Sequence, residues 1–417
     1  MRSPTLLTCR ANTMMKKSNL LYYCRTDADS QALRRSLSVA HQLSDTFDVT
    51  MLSGDCSLED VAKVSEIRCV QLPDLGVDPD RAQEDFNEAV LQNQRIVARR
   101  DIILELYLAL KPRVVVVEEF PFSNKVLAAE ILPIIERAKY GVHGDSLVVC
   151  TTDGIHVSDQ PHSGRQNDRV ATLLNKYFDL ILVKSDSVFA RLEEFFQQGN
   201  TLETPLFHTG FVSPNSCSSS RQKFPQGDSV LVSAGDGRNG GNLFRAAIEA
   251  QKTLWHTLSL PMTIAAGESM PDTTWRQLNS LAADVPGITM TRVDGDLREH
   301  IHRARWSVNQ CEYSTALDII ETGTPSLFVP DRGSERLQQL VRAKRLVYWG
   351  AGRLLMPHHL NGASLANEIL QLTKFEPRVI SFSADGASKC AELISKIAFS
   401  DNLGSAAGRD STGLWSH

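Results

Sequence analysis

Four glycines spaced to let a backbone close on a phosphate occupy the run Ala234-Gly235-Asp236-Gly237-Arg238-Asn239-Gly240-Gly241. An aliphatic stretch, Ser229 to Ser233, precedes them, and a helical pattern, Asn242 to Leu254, follows. In a strand–turn–helix setting the helix start offers unpaired N–H groups and the positive end of its dipole. Gly235, Gly237, Arg238, Asn239 and Gly240 are therefore candidates to hold an anionic ligand. Gly235, Gly237 and Gly240 also satisfy G-x-G-x-x-G, the dinucleotide fingerprint, with Glu268 available as the ribose acid. That oxidoreductase reading, with NAD as cofactor, ranks second. A whole α/β lobe precedes the motif, and a second nucleotide-like site follows it. A glycine turn with no ligand is the further alternative.

The second site spans 306–339. A strand ending at Asn309 feeds a helix that the pattern starts near Thr315. Asp318, three residues on, then shares its first turn, and both side chains face one edge of a cleft. The next strand delivers a polar segment ending in Gln338-Gln339. A helix start, a carboxylate and paired amides suit a diphosphate beside a ribose, because the carboxylate accepts from vicinal hydroxyls while the dipole favours phosphate. Simple capping by Thr315 and Asp318, and surface exposure of both glutamines, are the alternatives.

For proton transfer the candidates are Asp27 and Asp29, at the end of the first strand and facing the expected cleft. A solvated acidic turn or a helix cap is the other reading of the pair. Asp27-Ala28-Asp29 also mimics a D-x-D metal motif, which belongs to a different architecture. Glu118, Glu119, Asp153 and His156 are further residues that the pattern brings towards the cleft. His300 and His302 lie two apart on a helix and do not face each other.

The elements that must position these residues alternate short aliphatic runs with longer amphipathic ones, the signature of βαβ units around a parallel sheet. Strands are expected at Asn19 to Tyr23, Asp48 to Leu52, Val114 to Glu118, Leu147 to Cys150 and Leu180 to Val183. Helices are expected at Ser30 to Leu43, Phe86 to Leu110 and Ala128 to Tyr140. Residues 213–228 carry five serines and two prolines with no apolar period, which is linker chemistry. A second α/β series follows, with strands at Met262 to Ala266, Ile288 to Val293, Trp306 to Asn309 and Ser326 to Val329. Its helices are expected at Asp296 to Arg303, Thr315 to Thr322, Glu335 to Leu346 and 381–398. The division expected is a disordered leader over 1–18, a first Rossmann-like lobe over 19–212 and a linker over 213–228. A nucleotide-sugar lobe over 229–380 and a terminal helix and tail over 381–417 complete it. Two such lobes imply a ligand cleft between them, at the carboxyl ends of the strands.

The chain has 417 residues, 42% of them hydrophobic and 22% charged, as in soluble globular proteins. A formal net charge of −5 argues against a nucleic-acid partner. No apolar run approaches the ~18 residues of a membrane span, and the basic residues before Lys17 flank too short an apolar stretch for a signal peptide. A cytoplasmic protein, peripheral at a membrane at most, is expected. The eight cysteines form no C-x-x-C pair and read as small buried hydrophobes rather than metal ligands.

Together with SVLVSAGDG and His208 to Val212, the 306–339 segment resembles glycosyltransferases related to glycosyltransferase family 28. In the first half, LRRSL (Leu33 to Leu37), VEEFPF (Val117 to Phe122) and YFDLILV (Tyr177 to Val183) carry the likeness, which runs from about Asn19 to Thr373. The resemblance implies an α/β fold of GT-B type, two doubly wound lobes with an interdomain cleft. It implies an enzyme that is metal-independent and needs no cofactor. Such an enzyme moves a hexosyl group, with inversion, from a UDP-type nucleotide sugar to an acceptor, lipid-linked or saccharide. By motif position Asp318 resembles the donor-ribose acid, Thr315 the residue at the diphosphate, and Gln338 and Gln339 the amides around ribose and sugar. Main-chain groups at Val293 and Asp294 would face the base. Two departures stand out. Ala32 replaces a usual His, and Cys311-Glu312 replace a Gly-Gly pair. Glu312 brings a carboxylate towards the diphosphate unless it turns away or pairs, with Arg332 as the expected cation. These departures keep open a nucleotide-sugar epimerase or hydrolase and a noncatalytic nucleotide-sugar binder.

Overall fold

A computed structural model describes residues 17–24, 30–54, 67–75, 86–122, 128–141, 146–154, 163–187, 189–192, 196, 202–213, 227–235, 237–293, 297–332, 336–380 and 382–400. The candidate residues Asp27, Asp29, His156 and Asp294 lie outside the described residues, as do most of the leader, linker and tail.

The first series runs β1 (Ser18–Tyr23), α1 (Ser30–Ser44), β2 (Phe47–Ser53), β3 (Arg68–Gln71), α2 (Phe86–Leu110), β4 (Val114–Glu118) and α3 (Ala128–Tyr140). It continues with β5 (Leu147–Thr152), α4 (Ser163–Tyr177), β6 (Leu180–Val183) and β7 (Leu206–His208). These strands form one sheet in the order β3-β2-β1-β4-β5-β6-β7, every pair parallel. Because helices cover both faces of such a sheet, its central strands read as unbroken aliphatic runs. Val114 to Val117 are accordingly all buried. Pro133 sits inside α3 without ending it.

The second series runs β8 (Val230–Ser233), α5 (Gly241–Leu258), β9 (Met262–Gly267), α6 (Asp272–Ala282), β10 (Ile288–Val293), α7 (Arg298–Arg303) and β11 (Trp306–Asn309). After it come α8 (Tyr313–Thr322), β12 (Ser326–Phe328), α9 (Arg336–Trp349), β13 (Gly352–Leu354), α10 (Gly362–Leu372) and α11 (Gly386–Ala398). Its six strands are ordered β10-β9-β8-β11-β12-β13, again all parallel.

In each sheet the strand order reverses direction at one place, between β1 and β4 and between β8 and β11. Connections leaving such neighbours diverge to opposite faces and open a crevice at the carboxyl ends. The glycine loop leaves β8, and the Gln310–Glu312 turn leaves β11, so both fall at the second reversal.

The last helix returns to the first sheet. Cys390, Ile394 and Ala398 of α11 share a core with Leu20, Val39 and Phe47, and Arg113 Nε donates to the Ala398 carbonyl at 2.7 Å. Among the described residues no helix is long and apolar enough to cross a membrane.

Candidate active site

The glycine loop is built as its composition requires. Gly235 and Gly237 take φ of +46° and +85°, values that residues with a Cβ rarely adopt. Gly237 N donates to the Ala234 carbonyl at 2.7 Å, closing a tight turn, and a Cβ on Gly237 would stand 2.8 Å from the backbone of Gly267. Gly240 caps the start of α5, while Arg238 and Asn239 are exposed. Gln310 ties the neighbouring turn to this loop, its Nε2 lying 3.4 Å from the Asn239 carbonyl.

The helix after β11 starts at Tyr313, with Glu312 as its N-cap, two residues before the expected start. This corrects the position of Asp318, which lies on the second turn rather than the first and is half-buried. Thr315 is buried inside the first turn rather than standing at the helix start. The sequence misleads here because Thr315 has the side chain of a cap, whereas Glu312, the actual cap, makes no side-chain capping bond.

Cys311 holds the left-handed backbone expected of the glycine it replaces, at φ +62°. Its N–H donates to Asn309 Oδ1 at 3.0 Å, and its carbonyl accepts from Arg342 at 2.7 Å. The same guanidinium reaches Gln338 Oε1 at 3.3 Å. Gln339 is buried, its Oε1 accepting from the Asp331 N–H at 2.7 Å. That acceptor therefore shapes the turn after β12 instead of facing a ligand, unlike the surface position considered for it.

Glu312 does not pair with Arg332, whose guanidinium donates to the Pro357 carbonyl at 2.7 Å. Its carboxylate instead covers Gly235. An ideal Cβ there would stand 1.5 Å from Oε2 and 2.2 Å from Oε1. A cleft of about 290 Å³ opens beside this turn, lined by Asn242, Arg245, Glu249, Gln310, Asp331 and Asn361 among others. Asn242, at the helix start expected after the glycine loop, and Arg332 line it, but the described candidates for donor binding do not. Those candidates lie in the glycine loop, on α8 and on α9.

The opposite wall comes from the first lobe. Glu118, at the end of β4, accepts from Tyr22 at 2.8 Å and from Lys184 at 3.1 Å, with the Ser36 hydroxyl 2.8 Å from both of its oxygens. Burial pushes the Glu118 carboxyl up, but Lys184 and the hydroxyl donors outweigh it and hold the group below its ordinary range. Burial likewise disfavours the Lys184 ammonium, yet Glu118, Asp153 and Glu119 raise its pKa above the usual lysine value. Glu119 is also committed, accepting from the Asp153 N–H at 2.8 Å and from Thr152 at 3.1 Å. Glu118 and Glu119 thus build the floor and do not project as free carboxylates. A carboxylate held ionised by three donors is a poor proton acceptor.

The walls meet at the start of α8. Tyr313 donates to the Lys184 carbonyl at 2.5 Å, and Arg35 donates to Ser314 Oγ at 2.7 Å while stacking over the Tyr313 ring at 4.5 Å. Arg35 and Lys184 also approach Asp153 at 3.6 and 3.4 Å. Sequence reasoning assigned no role to Arg35, Lys184 or Tyr313. Signals were present, since Arg35 and Ser36 lie within LRRSL and Lys184 directly follows YFDLILV.

No family model matches the chain, and no curated protein matches it in sequence. Solved structures do resemble it. CalG4, the calicheamicin glycosyltransferase, superposes with a TM-score of 0.57 at 17% identity, over 92% of this chain and 94% of that one. MurG of Acinetobacter baumannii gives 0.54 at 15% identity, over 92% and 99%. A protein assigned as UDP-N-acetylglucosamine 2-epimerase from Listeria monocytogenes gives 0.59 at 12% identity, over 91% of each chain. At such identities the likeness establishes architecture. The chain has the GT-B fold, two Rossmann-like lobes with parallel sheets.

Proposed function

We propose that this chain is a glycosyltransferase that binds a nucleoside-diphosphate sugar on its second lobe and passes the sugar to an acceptor on its first. One observation carries the reading. Gly235 and Gly237 hold the left-handed backbone that favours glycine, Gly237 leaves no room for a Cβ against the Gly267 main chain, and this loop faces the start of α8 at the strand-order reversal of the second sheet. Backbone amides and helix starts converging there suit a diphosphate. The fold likeness to glycosyltransferases supports it.

In this reading Gly235 to Gly240, Arg238 and the start of α5 receive the diphosphate, and Asp318 takes the ribose hydroxyls. Gln338 and Thr315 border the same ligand, with Val293 and Asp294 at the base. As the acceptor oxygen attacks the anomeric carbon with inversion, Asp29 or Asp27 takes its proton. The bond from that carbon to the diphosphate oxygen breaks, and the diphosphate leaves with its charge stabilised by Arg238 and the helix dipoles. No metal and no cofactor are needed in this scheme, so turnover should survive EDTA. A UDP-linked hexose is the donor to test first. The experiment is a screen of nucleotide sugars by mass spectrometry of bound ligand, followed by diphosphate release with saccharide and lipid-linked acceptors. Ligand retention without release of either sugar or diphosphate would reject catalysis and leave a nucleotide-sugar binder.

A second reading is favoured by the shared fold of the protein assigned as a 2-epimerase, and by Ala32 where a His is usual. It is a nucleotide-sugar epimerase or hydrolase. Product analysis without acceptor separates it, since a transferase leaves the donor intact under those conditions.

A further inference from the structure

The proposed diphosphate cradle already has an anion over it, and that anion belongs to the chain. Both oxygens of Glu312 lie within 2.2 Å of where a Cβ on Gly235 would stand, so the carboxylate fills the volume that the missing side chain vacates. Glu312 reaches this position although it caps α8, a helix of 10 residues, where an acid would ordinarily turn back onto its own first-turn N–H groups. No such capping bond forms. The side chain crosses the crevice instead, from the turn after β11 to the turn after β8.

Its backbone is fixed on both sides. The Glu312 carbonyl accepts from Ala316 N at 2.8 Å, and Cys311 is held through Asn309 and Arg342. The next two residues, Tyr313 and Ser314, are bonded to Lys184 and Arg35 of the first lobe. The placement of the carboxylate is therefore coupled to contact between the lobes.

We propose that Glu312 is the resident anion of this cradle, and that a nucleoside diphosphate binds only by displacing it. This rests on the nucleotide-sugar reading of the site. The phosphates and the carboxylate compete for the same helix starts, and two like charges about 4 Å apart in a partly desolvated crevice oppose each other strongly. Occupancy thus becomes conditional. With the lobes docked through Tyr313 and Arg35 the acid is held over Gly235 and diphosphate affinity is low. Loosening that contact frees the turn to carry the acid away. The phosphate-bearing part of the ligand alone feels this effect.

Isothermal titration of the full chain with UDP, uridine and pyrophosphate tests the proposal, comparing the wild type with Glu312→Gln and Glu312→Ala. Glu312→Gln keeps the shape and removes the charge, whereas Glu312→Ala removes both. A thermal melt of each protein verifies the fold. UDP and pyrophosphate should bind about ten- to a hundredfold more tightly to both variants, with uridine unchanged. UDP affinity equal to or below that of the wild type in both variants would overturn the proposal while leaving the nucleotide site intact. If pyrophosphate gains but UDP never exceeds pyrophosphate, the resident anion stands and the nucleoside reading falls. Absence of binding by any phosphate ligand to all three proteins would overturn both.

Discussion

Replacing Lys184 with Met would strip the first-lobe floor of its cation while keeping a side chain of similar length. The ammonium lies 3.1 Å from Glu118 and 3.4 Å from Asp153, with only 5% of the lysine side chain and 3% of the Glu118 side chain exposed. Glu118 would keep its contacts with Tyr22 and Ser36 but would lose the buried counter-charge that Lys184 supplies. Breaking one partner of a buried pair costs about 3–5 kcal/mol. Asp153, with a side chain 26% exposed and farther from the ammonium, adds less than Glu118, and about 3–4 kcal/mol is expected. In a lobe of this size each kcal/mol lowers Tm by roughly 2–4 °C, giving a fall of about 6–16 °C by circular dichroism at pH 7. Adding Glu118→Gln should recover about half of the loss, because the stranded charge is then gone. The pH dependence has a definite sign. Glu118 is depressed in the fold, so its contribution is present above the ordinary carboxylate pKa of about 4.3 and is lost as pH falls through its folded value. Lys184 is raised, so its contribution is complete below about 10.4 and is lost as pH rises through its folded value. A Lys184→Met protein melting within 1 °C of the wild type would refute the argument.

Gly237→Ala should cost about 2–3 kcal/mol, combining a left-handed backbone at φ +85° with a Cβ 2.8 Å from the Gly267 main chain, and should weaken UDP binding in titration. Asp318→Ala should reduce UDP affinity about tenfold, as expected for loss of a hydrogen bond to a charged group; unchanged affinity would remove Asp318 from the site. Burial pushes the Cys311 and Cys390 thiols up to about 12 and about 11, so thiolate is scarce at pH 8. Iodoacetamide should leave both unmodified in the native protein and alkylate them in urea, read by peptide mass spectrometry. Modification in the native state would contradict their burial.

The physics of single elements was legible in the sequence, and the physics of their partners was not. Val114 to Glu118 announced itself because a strand covered on both faces has no polar alternation to conceal it. Helices Phe86–Leu110 and Ala128–Tyr140 were bounded by the sequence pattern alone. By contrast β3, β7 and β13 have only three or four residues each, all but Gly352 half-buried or exposed, too short to show a period. Helices α4, α6 and α10 also escaped notice, the first two because their sequences are largely polar. The apolar stripe of α11 predicted a helix, yet nothing in it said that the helix would return to the first sheet. At the site, the glycines were readable because a left-handed turn admits little else. The acid over Gly235 was not, since Glu312 is 77 positions away in the chain and its direction depends on the turn at Cys311. Lys184 and Glu118, separated by 66 positions, posed the same difficulty. A pair that packing alone brings together leaves no spacing to detect.

The glycine loop of the second lobe is proposed to receive a nucleoside diphosphate. Thermal unfolding of the full chain with saturating UDP, and separately with NAD, tests it most directly, because a ligand that binds only the native state raises Tm by mass action. UDP should raise Tm in the wild type but not in Gly237→Ala, and NAD should raise it in neither. A rise with NAD and none with UDP would contradict it.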